Sequence, residues 1–468
     1  MGRTDCTVVF SSLTFAACFL PSVFCLYFLS KNPRWRNGVL LVFSILFYSW
    51  GEPRFLLLML LSIGINYLSA LGIAGSARPA VRKLCMLLGV MTSLGLLIWF
   101  KYSAFAVNSL SGLLGLGDVM QPKTLPIGIS FYTFQVLTYT IDVYRGKCPV
   151  QKNLFRLALY ISFFPQLIAG PIVNYSYIQP QLEKRDISHE DVYLGLRRFI
   201  IGLSKKLLLA NLCGEITDLL GGGSSMLGAW LSAIAFTLQI YFDFSGYSDM
   251  AIGMGRCFGF RFLENFDHPY VSLSVSEFWR RWHISLGAFF REYVYIPLGG
   301  SRVNKARLAL NLLVVWALTG LWHGASWNFL VWGLYYCILL IIEKLTGVSE
   351  KLPRAIRFAG TLLLVIFGWV IFYNESLTQG LGQISRMLCF GAEHLSDGVA
   401  VYCLKRYLGV LLISVAACLP WTRLRKCFAC RNKKLFAAAE GIVLTALLVL
   451  CYLSLAGSSY NPFLYFRF

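Results

Sequence analysis

Charge is scarce in this chain, and acidic charge most of all. Only 22 of the 468 residues are Asp or Glu, and 14% are charged in total, whereas soluble globular domains carry roughly 25%. Hydrophobic residues make up 57% of the chain, and its mean hydropathy is +0.64. The composition therefore excludes an ordinary soluble domain. It predicts an all-α polytopic membrane protein in which residues 1–468 form one integral membrane domain.

Several motifs of soluble enzymes are also missing. There is no P-loop, and the Gly-Met-Gly run at 253–255 lacks the strand context and the third glycine of a dinucleotide-binding fingerprint. Ser245 has no Gly-x-Ser-x-Gly context, which argues against a nucleophile-elbow hydrolase. Cys427 and Cys430 stand in a basic loop without a second ligand pair, whereas zinc usually takes four ligands. We expect no metal site and no resident cofactor.

The net charge of +20 does not predict a nucleic-acid partner. The basic residues fall in short clusters between apolar runs: Lys31, Arg34 and Arg36; Arg78, Arg82 and Lys83; Lys184 and Arg185; Arg302, Lys305 and Arg307; and 423–434. Such clusters are typical of the cytoplasmic loops of membrane proteins. The lipid bilayer is therefore the expected partner.

Runs of about 20 apolar residues predict the spanning helices. We place candidate spans near 8–29, 38–53, 55–74, 84–101, 126–142, 156–175, 198–215, 226–244, 308–322, 326–344, 358–374, 407–421 and 436–456. The first is expected to be retained, because no small-residue cleavage site follows it. Residues 245–300 are more polar and predict re-entrant or broken helices.

The loops predict the orientation of the chain. With the N-terminus outside, the basic loops are cytoplasmic and the loops poor in Lys and Arg are external. The predicted cytoplasmic loops are 30–36, 75–83, 145–155, 301–307, 345–357 and 422–435, and the predicted external ones are 102–125 and 375–404.

His323 follows the apolar run 308–322, which begins at a predicted cytoplasmic loop. Fifteen helical residues cover roughly 22 Å, less than the ~30 Å of a hydrocarbon core. His323 is therefore expected inside the membrane, nearer its outer face. Ionisable groups at that depth usually face a protein-lined cavity and have a function. The alternative is a histidine packed between helices; Gly320, Gly324 and Asn328 favour function, because small residues allow close approach.

A second histidine, His283, lies in an amphipathic segment at 277–300. On a helix, Trp279 and His283 would share a face, as would Glu277 and Arg281. The alternative is a helix on the membrane surface whose arginines meet lipid phosphates. That alternative explains the arginines better than it explains His283. For Trp322 the alternative is an interfacial aromatic belt formed together with Trp327 and Trp332.

Residues 241–250, YFDFSGYSDM, are unusually polar for a spanning segment. The pattern is strand-like or typical of a broken helix, and it offers Asp243, Ser245, Ser248 and Asp249 together with Gly246. Stabilisation of a kink is the expected role. The remaining histidines, at 189, 268 and 394, are expected to be solvated or capping.

Together these stretches resemble the membrane-bound O-acyltransferase superfamily. The resemblance is to its bacterial branch, which includes the membrane subunits of alginate and peptidoglycan O-acetyltransferases and the teichoic acid D-alanyl transfer protein. The matching stretches are LPIGISFYTFQ (125–135), AGPIV (169–173), YFDFSGYSDMAIG (241–253), NFDHPY (265–270), EFWRRWHISL (277–286), YIPLGG (295–300), LTGLWHGASWNFLVWG (318–333) and FLYFRF (463–468).

The resemblance implies a helix bundle around a central funnel or tunnel, with the catalytic core at 240–344. It implies that His323 is the invariant catalytic histidine and that His283 is a second catalytic position. It also implies a thioester donor on the cytoplasmic side and an acceptor on the other side. Candidate substrate-binding residues are Trp279, Arg281, Trp322, Asn328, Tyr241 and Asp249.

Acyl transfer from a thioester to a hydroxyl needs a base to take the hydroxyl proton. A neutral histidine serves this purpose, and desolvation disfavours the imidazolium form of His323. His283, Asn328 or backbone N–H groups would stabilise the oxyanion.

The leading hypothesis is O-acetylation of an exported polysaccharide, with acetyl-CoA as donor substrate and an extracytoplasmic SGNH-like partner enzyme, at the bacterial inner membrane. D-alanyl transfer to teichoic acid from a carrier-protein thioester is the first alternative. A transporter of polysaccharides or lipid-linked sugars is the second, although the expected inverted repeats are not evident. A non-catalytic scaffold is the third.

Overall fold

The computed structural model describes residues 10–168, 170–421, 433–457 and 463–464. Throughout these ranges the regular structure is helical, and the β pairing within them is limited to one isolated bridge between Ser225 and His394. The predicted all-α architecture is confirmed. Cys427, Cys430 and most of the basic loop 422–435 lie outside the described residues, as do most of the terminal hexapeptide and Ala169.

Two compact units divide the described chain. Unit 1 holds the residues up to Phe199 together with Ser248–Leu263. Its helices are α1 (Leu20–Phe28), α2 (Pro33–Gly51), α3 (Leu56–Gly75), α4 (Pro79–Leu97), α5 (Ser103–Leu113), α6 (Ile129–Tyr144), α7 (Leu154–Ser162), α8 (Phe164–Leu167), α9 (Tyr175–Glu183) and the first part of α10 (His189–Ser204). π-Helical turns at Phe15–Phe19 and Ile98–Tyr102 and a 3-10 turn at Pro53–Phe55 adjoin them.

Unit 2 holds Ile200–Tyr247 and Glu264–Gly457. Its helices are the end of α10, α11 (Asn211–Leu220), α12 (Met226–Cys257, whose last residues belong to unit 1), α13 (Val275–Arg281), α14 (Ile284–Phe290), α15 (Lys305–His323), α16 (Trp327–Thr346), α17 (Val348–Lys351), α18 (Arg354–Tyr373), α19 (Leu377–Met387), α20 (Gly398–Ala417) and α21 (Lys433–Gly457). Turns at Lys205–Ala210 and Arg291–Tyr295 are π-helical, and Pro269–Val271 is a 3-10 turn. Helix α12 contributes residues to both units. The prediction of a single domain with its catalytic core at 240–344 stays a prediction.

Eight helices among the described residues are long and apolar enough to cross a membrane. They are Pro53–Gly75, Pro79–Leu113, Met226–Cys257, Lys305–His323, Trp327–Thr346, Arg354–Tyr373, Gly398–Ala417 and Lys434–Gly457. Many of their leucines are exposed, such as Leu57 at 74% and Leu68 at 66%, which suits contact with lipid rather than water. The protein is a multi-pass membrane protein.

The predicted span at 156–175 is wrong. Helix α7 ends at Ser162, and α8 occupies only Phe164–Leu167. Phe163 between them is non-helical, with φ −52° and ψ 109°. Pro165 lies within the first turn of α8 and has no amide hydrogen to donate to a carbonyl of α7. A helix continuing from α7 would therefore lose a hydrogen bond there, which explains the interruption.

Helix α12 corrects the prediction of a broken segment at 241–250. The helix is continuous from Met226 to Cys257, and only residues 258–304 have the expected short, interrupted helices. Asp243 forms a buried ion pair with Lys206, so its charge needs no break in the helix. At Gly246 an added Cβ would lie 3.1 Å from the Lys205 Cβ, so glycine permits close packing there. In the most apolar window of α12, 78% of residues are buried, against 11% to 44% in the other spans.

The hairpin of α15 and α16 depends on two glycines. A Cβ added at Gly320 would meet the backbone carbonyl of Phe329, and one at Gly333 would meet the backbone carbonyl of Trp316. The two helices therefore pack backbone against backbone in antiparallel order. Helix α15 ends at His323, followed by the extended Gly324, and α16 begins at Trp327. Residues 324–326 connect the two helices.

Unit 1 has its own ion pairs at the start of α10. The Asp191 carboxylate accepts hydrogen bonds from the Ser188 hydroxyl at 2.8 Å and the Arg256 guanidinium at 3.1 Å. These hydrogen bonds hold the pKa of Asp191 below its usual range, and the one from Ser188 has the largest effect.

Candidate active site

His323 is buried at the C-terminal end of α15, with 4% of its surface exposed. Its Nδ1 lies 2.7 Å from the backbone oxygen of Thr319, one turn earlier. A carbonyl oxygen can only accept a hydrogen bond, so Nδ1 carries the proton. The Nε2 atom of neutral His323 therefore holds the lone pair, which is the arrangement that a general base requires.

His283 is 2% exposed and separates α13 from α14. Because α13 ends at Arg281, the expectation that Trp279 and His283 share a helical face is wrong. The Nδ1 atom of His283 lies 3.3 Å from the Asn265 side-chain oxygen. Burial lowers the pKa of His283 well below its usual range, and a charge on His323 lowers it further. The imidazole is accordingly neutral.

The Trp322 indole contacts both imidazoles. Its ring centroid lies 5.8 Å from that of His283 and 4.9 Å from that of His323. The structure thus brings three of the predicted site residues together. Trp322 is 4% exposed, which excludes the interfacial belt for this residue. His323 also contacts Trp332 at 4.8 Å and Phe372 at 5.5 Å.

A cavity of about 190 Å³ opens beside these residues. Its aromatic lining is formed by Trp279, Trp282, Phe290 and Trp316, and its polar lining by His283, Thr319, Arg291, Tyr295 and Lys344. His323 is not among the lining residues and is linked to the cavity through Thr319. The sequence ranked His323 first, but His283 is the imidazole at the cavity wall.

The cavity has the His283 imidazole at one end and two cationic side chains at the other. Along α15 its lining runs from Leu312 to Thr319, about 10 Å. Thr319 lies one turn from His323, whereas Lys344 belongs to the last turn of the antiparallel α16 and lies near the start of α15. Arg291 and Lys344 are exposed, and the Lys344 Nζ is 3.5 Å from the Tyr295 hydroxyl. Two cations therefore stand at the end away from the imidazoles.

The other predicted substrate-binding residues have different surroundings. Trp279 lines the cavity and packs on Trp316, with ring centroids 4.8 Å apart. Tyr241 is buried, and its ring centroid lies 6.2 Å from that of Trp282 in the cavity wall. The Asn328 side chain donates to the backbone oxygen of Asn374 at 2.5 Å.

Arg281 and Asp249 form ion pairs. Arg281 pairs with Glu277 at 2.8 Å, which confirms that these two share a helical face. Asp249 belongs to unit 1, where it pairs with Arg198 at 2.8 Å. These bonds give both side chains structural partners, and their substrate-binding role stays a prediction.

Sequence reasoning missed several residues of this site. Asn265 contacts His283 from a motif, NFDHPY, that carried the resemblance but had no assigned role. Thr319 could have been found as the residue one helical turn before His323. Arg291 fell in the amphipathic segment at 277–300 and Lys344 at the end of the predicted span 326–344, and neither was assigned to the site, because nothing local shows that they share a cavity.

Comparison with protein families matches residues 147–381 to the MBOAT, membrane-bound O-acyltransferase family. The chain belongs to this family. It is therefore a membrane O-acyltransferase, an enzyme, and the predicted family is confirmed.

Individual relatives extend over most of the chain. A protein named probable alginate O-acetylase AlgI from Pseudomonas syringae pv. tomato is 43% identical, covering 83% of this chain and 77% of that protein. One of the same name from Pseudomonas putida is 39% identical and covers 98% and 100%. A protein named peptidoglycan O-acetyltransferase from Helicobacter pylori is 33% identical and covers 81% and 80%.

Proposed function

We propose that this enzyme O-acetylates an exported cell-surface polysaccharide, using acetyl-CoA that enters from the cytoplasmic side of a bacterial inner membrane. The similar proteins named alginate O-acetylase and peptidoglycan O-acetyltransferase support an acetyl donor and a polysaccharide acceptor. The carrying observation is the cavity, which has cations at one end and the His283 imidazole at the other, where His323 lies behind the lining residue Thr319.

The cavity suits a phosphopantetheine thioester. Its lining is mainly aromatic and aliphatic, as the uncharged pantetheine arm requires. Arg291 and Lys344 at its open end carry the charge that attracts phosphate groups. Lys344 directly precedes the loop 345–357, which the basic-loop pattern predicts to be cytoplasmic. The donor would thus enter from the side on which CoA is made.

The reaction needs one proton transfer and one acyl transfer. The hydroxyl oxygen of the acceptor forms a bond to the thioester carbon while its proton passes to Nε2 of His323. The C–S bond then breaks, and the imidazolium returns the proton to the departing thiolate. The products are the O-acetyl ester and free CoA thiol, so charge and atoms balance. General-base catalysis of this kind increases the reaction rate by about 10²–10⁴-fold.

In this proposal, a partner protein takes the acetyl group on the extracytoplasmic side of the membrane. A separate extracytoplasmic SGNH-like enzyme would carry the acetyl group to the polymer. The family assignment places the chain in the membrane but identifies no partner, so co-purification of the chain with such an enzyme from native membranes tests this point.

The test uses inverted membrane vesicles from a host that lacks the chain and from the same host with the chain restored. Labelled acetyl-CoA is supplied outside the vesicles, and label in alkali-labile esters of the luminal polymer is counted. We expect ester label only with the chain. Labelling from D-alanyl carrier protein but not from acetyl-CoA would overturn the proposal in favour of teichoic acid modification.

A further inference from the structure

The backbone at His283 adopts a conformation that its side chain does not favour. Its φ is 45° and its ψ 53°, in the left-handed region. A residue other than glycine holds that conformation only when its surroundings enforce it, and such residues cluster at functional sites. The question is which group enforces it here.

Asn265 supplies that constraint through four contacts. Its backbone oxygen accepts from the amide of Ile284 at 3.0 Å. Its side-chain oxygen accepts from the Ser285 amide at 3.1 Å and the Ser285 hydroxyl at 2.9 Å, and it lies 3.3 Å from Nδ1 of His283. Asn265 is 1% exposed, so water does not compete for these bonds.

The Ser285 amide decides which atom of the Asn265 side chain faces His283. An amide N–H needs an acceptor, so the Asn265 atom that it meets is the oxygen and not the NH₂ group. The same oxygen can only accept from Nδ1 of His283. Neutral His283 is therefore protonated on Nδ1 and has its lone pair on Nε2.

We infer that Asn265 is a positioning residue for acyl transfer, which fixes His283 in the Nδ1-protonated tautomer so that Nε2 acts as an acceptor toward the cavity. The tautomer of His283 follows from its hydrogen bonds and does not depend on the proposed function. Only the part that His283 plays in the reaction rests on the proposed function. It also revises the predicted oxyanion role of His283, because a neutral imidazole donating from Nδ1 has no second proton to offer an oxyanion.

An amide suits this position better than a carboxylate would. A carboxylate beside Nδ1 stabilises the imidazolium, whereas a neutral amide orients the ring without adding charge. The Asn265→Asp variant is nearly isosteric and keeps an oxygen for all three donors, but it adds the charge. It therefore separates the electrostatic role of Asn265 from its structural role.

The first measurement is the tautomer itself. Full-length protein with ¹⁵N-labelled histidine is reconstituted in lipid vesicles and studied by solid-state NMR. The chain has five histidines, and the signals of His283 are identified by their loss in His283→Gln. We expect a pyrrole-type Nδ1 and a pyridine-type Nε2. The reversed pattern, or an imidazolium at neutral pH, would overturn the inference whatever the activity.

The second measurement is the pH dependence of kcat for acetyl transfer from acetyl-CoA in the vesicle assay. In Asn265→Asp the added carboxylate favours the imidazolium, so the acid limb of the profile should move to higher pH. Asn265→Ala should lower kcat by about tenfold, which is less than the ~10²–10⁴-fold loss expected on removing a general base, with KM for acetyl-CoA little changed. An unmoved limb in Asn265→Asp would show a structural role only.

Ser285→Ala is the matched control. It removes one donor to the Asn265 oxygen but leaves the contact with His283, so the tautomer and the pH profile should stay as in the wild type. Full activity in His283→Gln would overturn the inference, because it would show that the His283 imidazole takes no part in acyl transfer.

Discussion

Replacing Gly320 by Ala should separate helices α15 and α16 and disturb the site at their junction. The added Cβ would lie 3.1 Å from the Phe329 carbonyl carbon and 3.3 Å from the Leu330 Cα, with the carbonyl oxygen closer still. These are backbone atoms, so no rotamer change relieves the overlap. His323 ends the same helix one turn later, and the shift would reach it.

The magnitude follows from two opposing effects. Alanine in a helix interior gains about 1 kcal/mol over glycine. Overpacking typically costs about 1–3 kcal/mol, and a rigid backbone contact places this site at the upper end. The net loss is therefore about 1–2 kcal/mol, or roughly 1–2 °C in apparent Tm for a chain of 468 residues. Gly360→Ala in α18 is the matched control, because nothing lies within 4 Å of the Cβ it would add.

The assay is thermal unfolding of both variants in the same detergent, followed by acetyl transfer in vesicles. We expect Gly320→Ala to lose Tm and kcat together and Gly360→Ala to lose neither. A Gly320→Ala protein as stable and active as the wild type would refute the backbone-to-backbone packing of the hairpin.

Three further predictions follow from the charges. Lys206→Met leaves the buried Asp243 without its ion-pair partner and should destabilise the protein by about 3–5 kcal/mol; unfolding should show partial recovery in Lys206→Met/Asp243→Asn, and an equally unstable double variant would contradict the pairing. Asp191 has a depressed pKa, so its stabilisation is present above the unfolded pKa of about 4 and is lost as pH falls through the folded value; Asp191→Asn should lower Tm at pH 7, the deficit should shrink as the pH is lowered below the unfolded pKa, and a deficit independent of pH would contradict this. Arg291→Gln/Lys344→Gln should raise KM for acetyl-CoA about 2- to 5-fold at low salt with kcat unchanged, and an unchanged KM would remove the phosphate contact.

The sequence predicted the membrane class and the family because each depends on local or averaged properties, and the catalytic role of the two histidines stays a prediction. Scarce charge and long apolar runs set the class, and the helix that ends at His323, Lys305–His323, is long and apolar enough to cross a membrane.

Tertiary contacts account for what the sequence did not predict. The polar run at 241–250 suggested a broken helix, but the buried pair of Asp243 with Lys206 keeps α12 continuous. The link between Asn265 and His283 depends on a left-handed residue between two short helices. The cavity joins residues from α13, α14, α15 and α16. These contacts join residues that are far apart in the sequence, so no periodicity of the sequence predicts them.

The most direct test of the central claim is the rate of acetyl transfer by His323→Gln in vesicles that contain equal amounts of correctly inserted protein. Glutamine keeps a polar side chain at the end of α15 but offers no base. The account predicts that kcat falls by about 10²–10⁴-fold while binding of acetyl-CoA is retained. Transfer at the wild-type rate would show that the His323 imidazole does not take the hydroxyl proton.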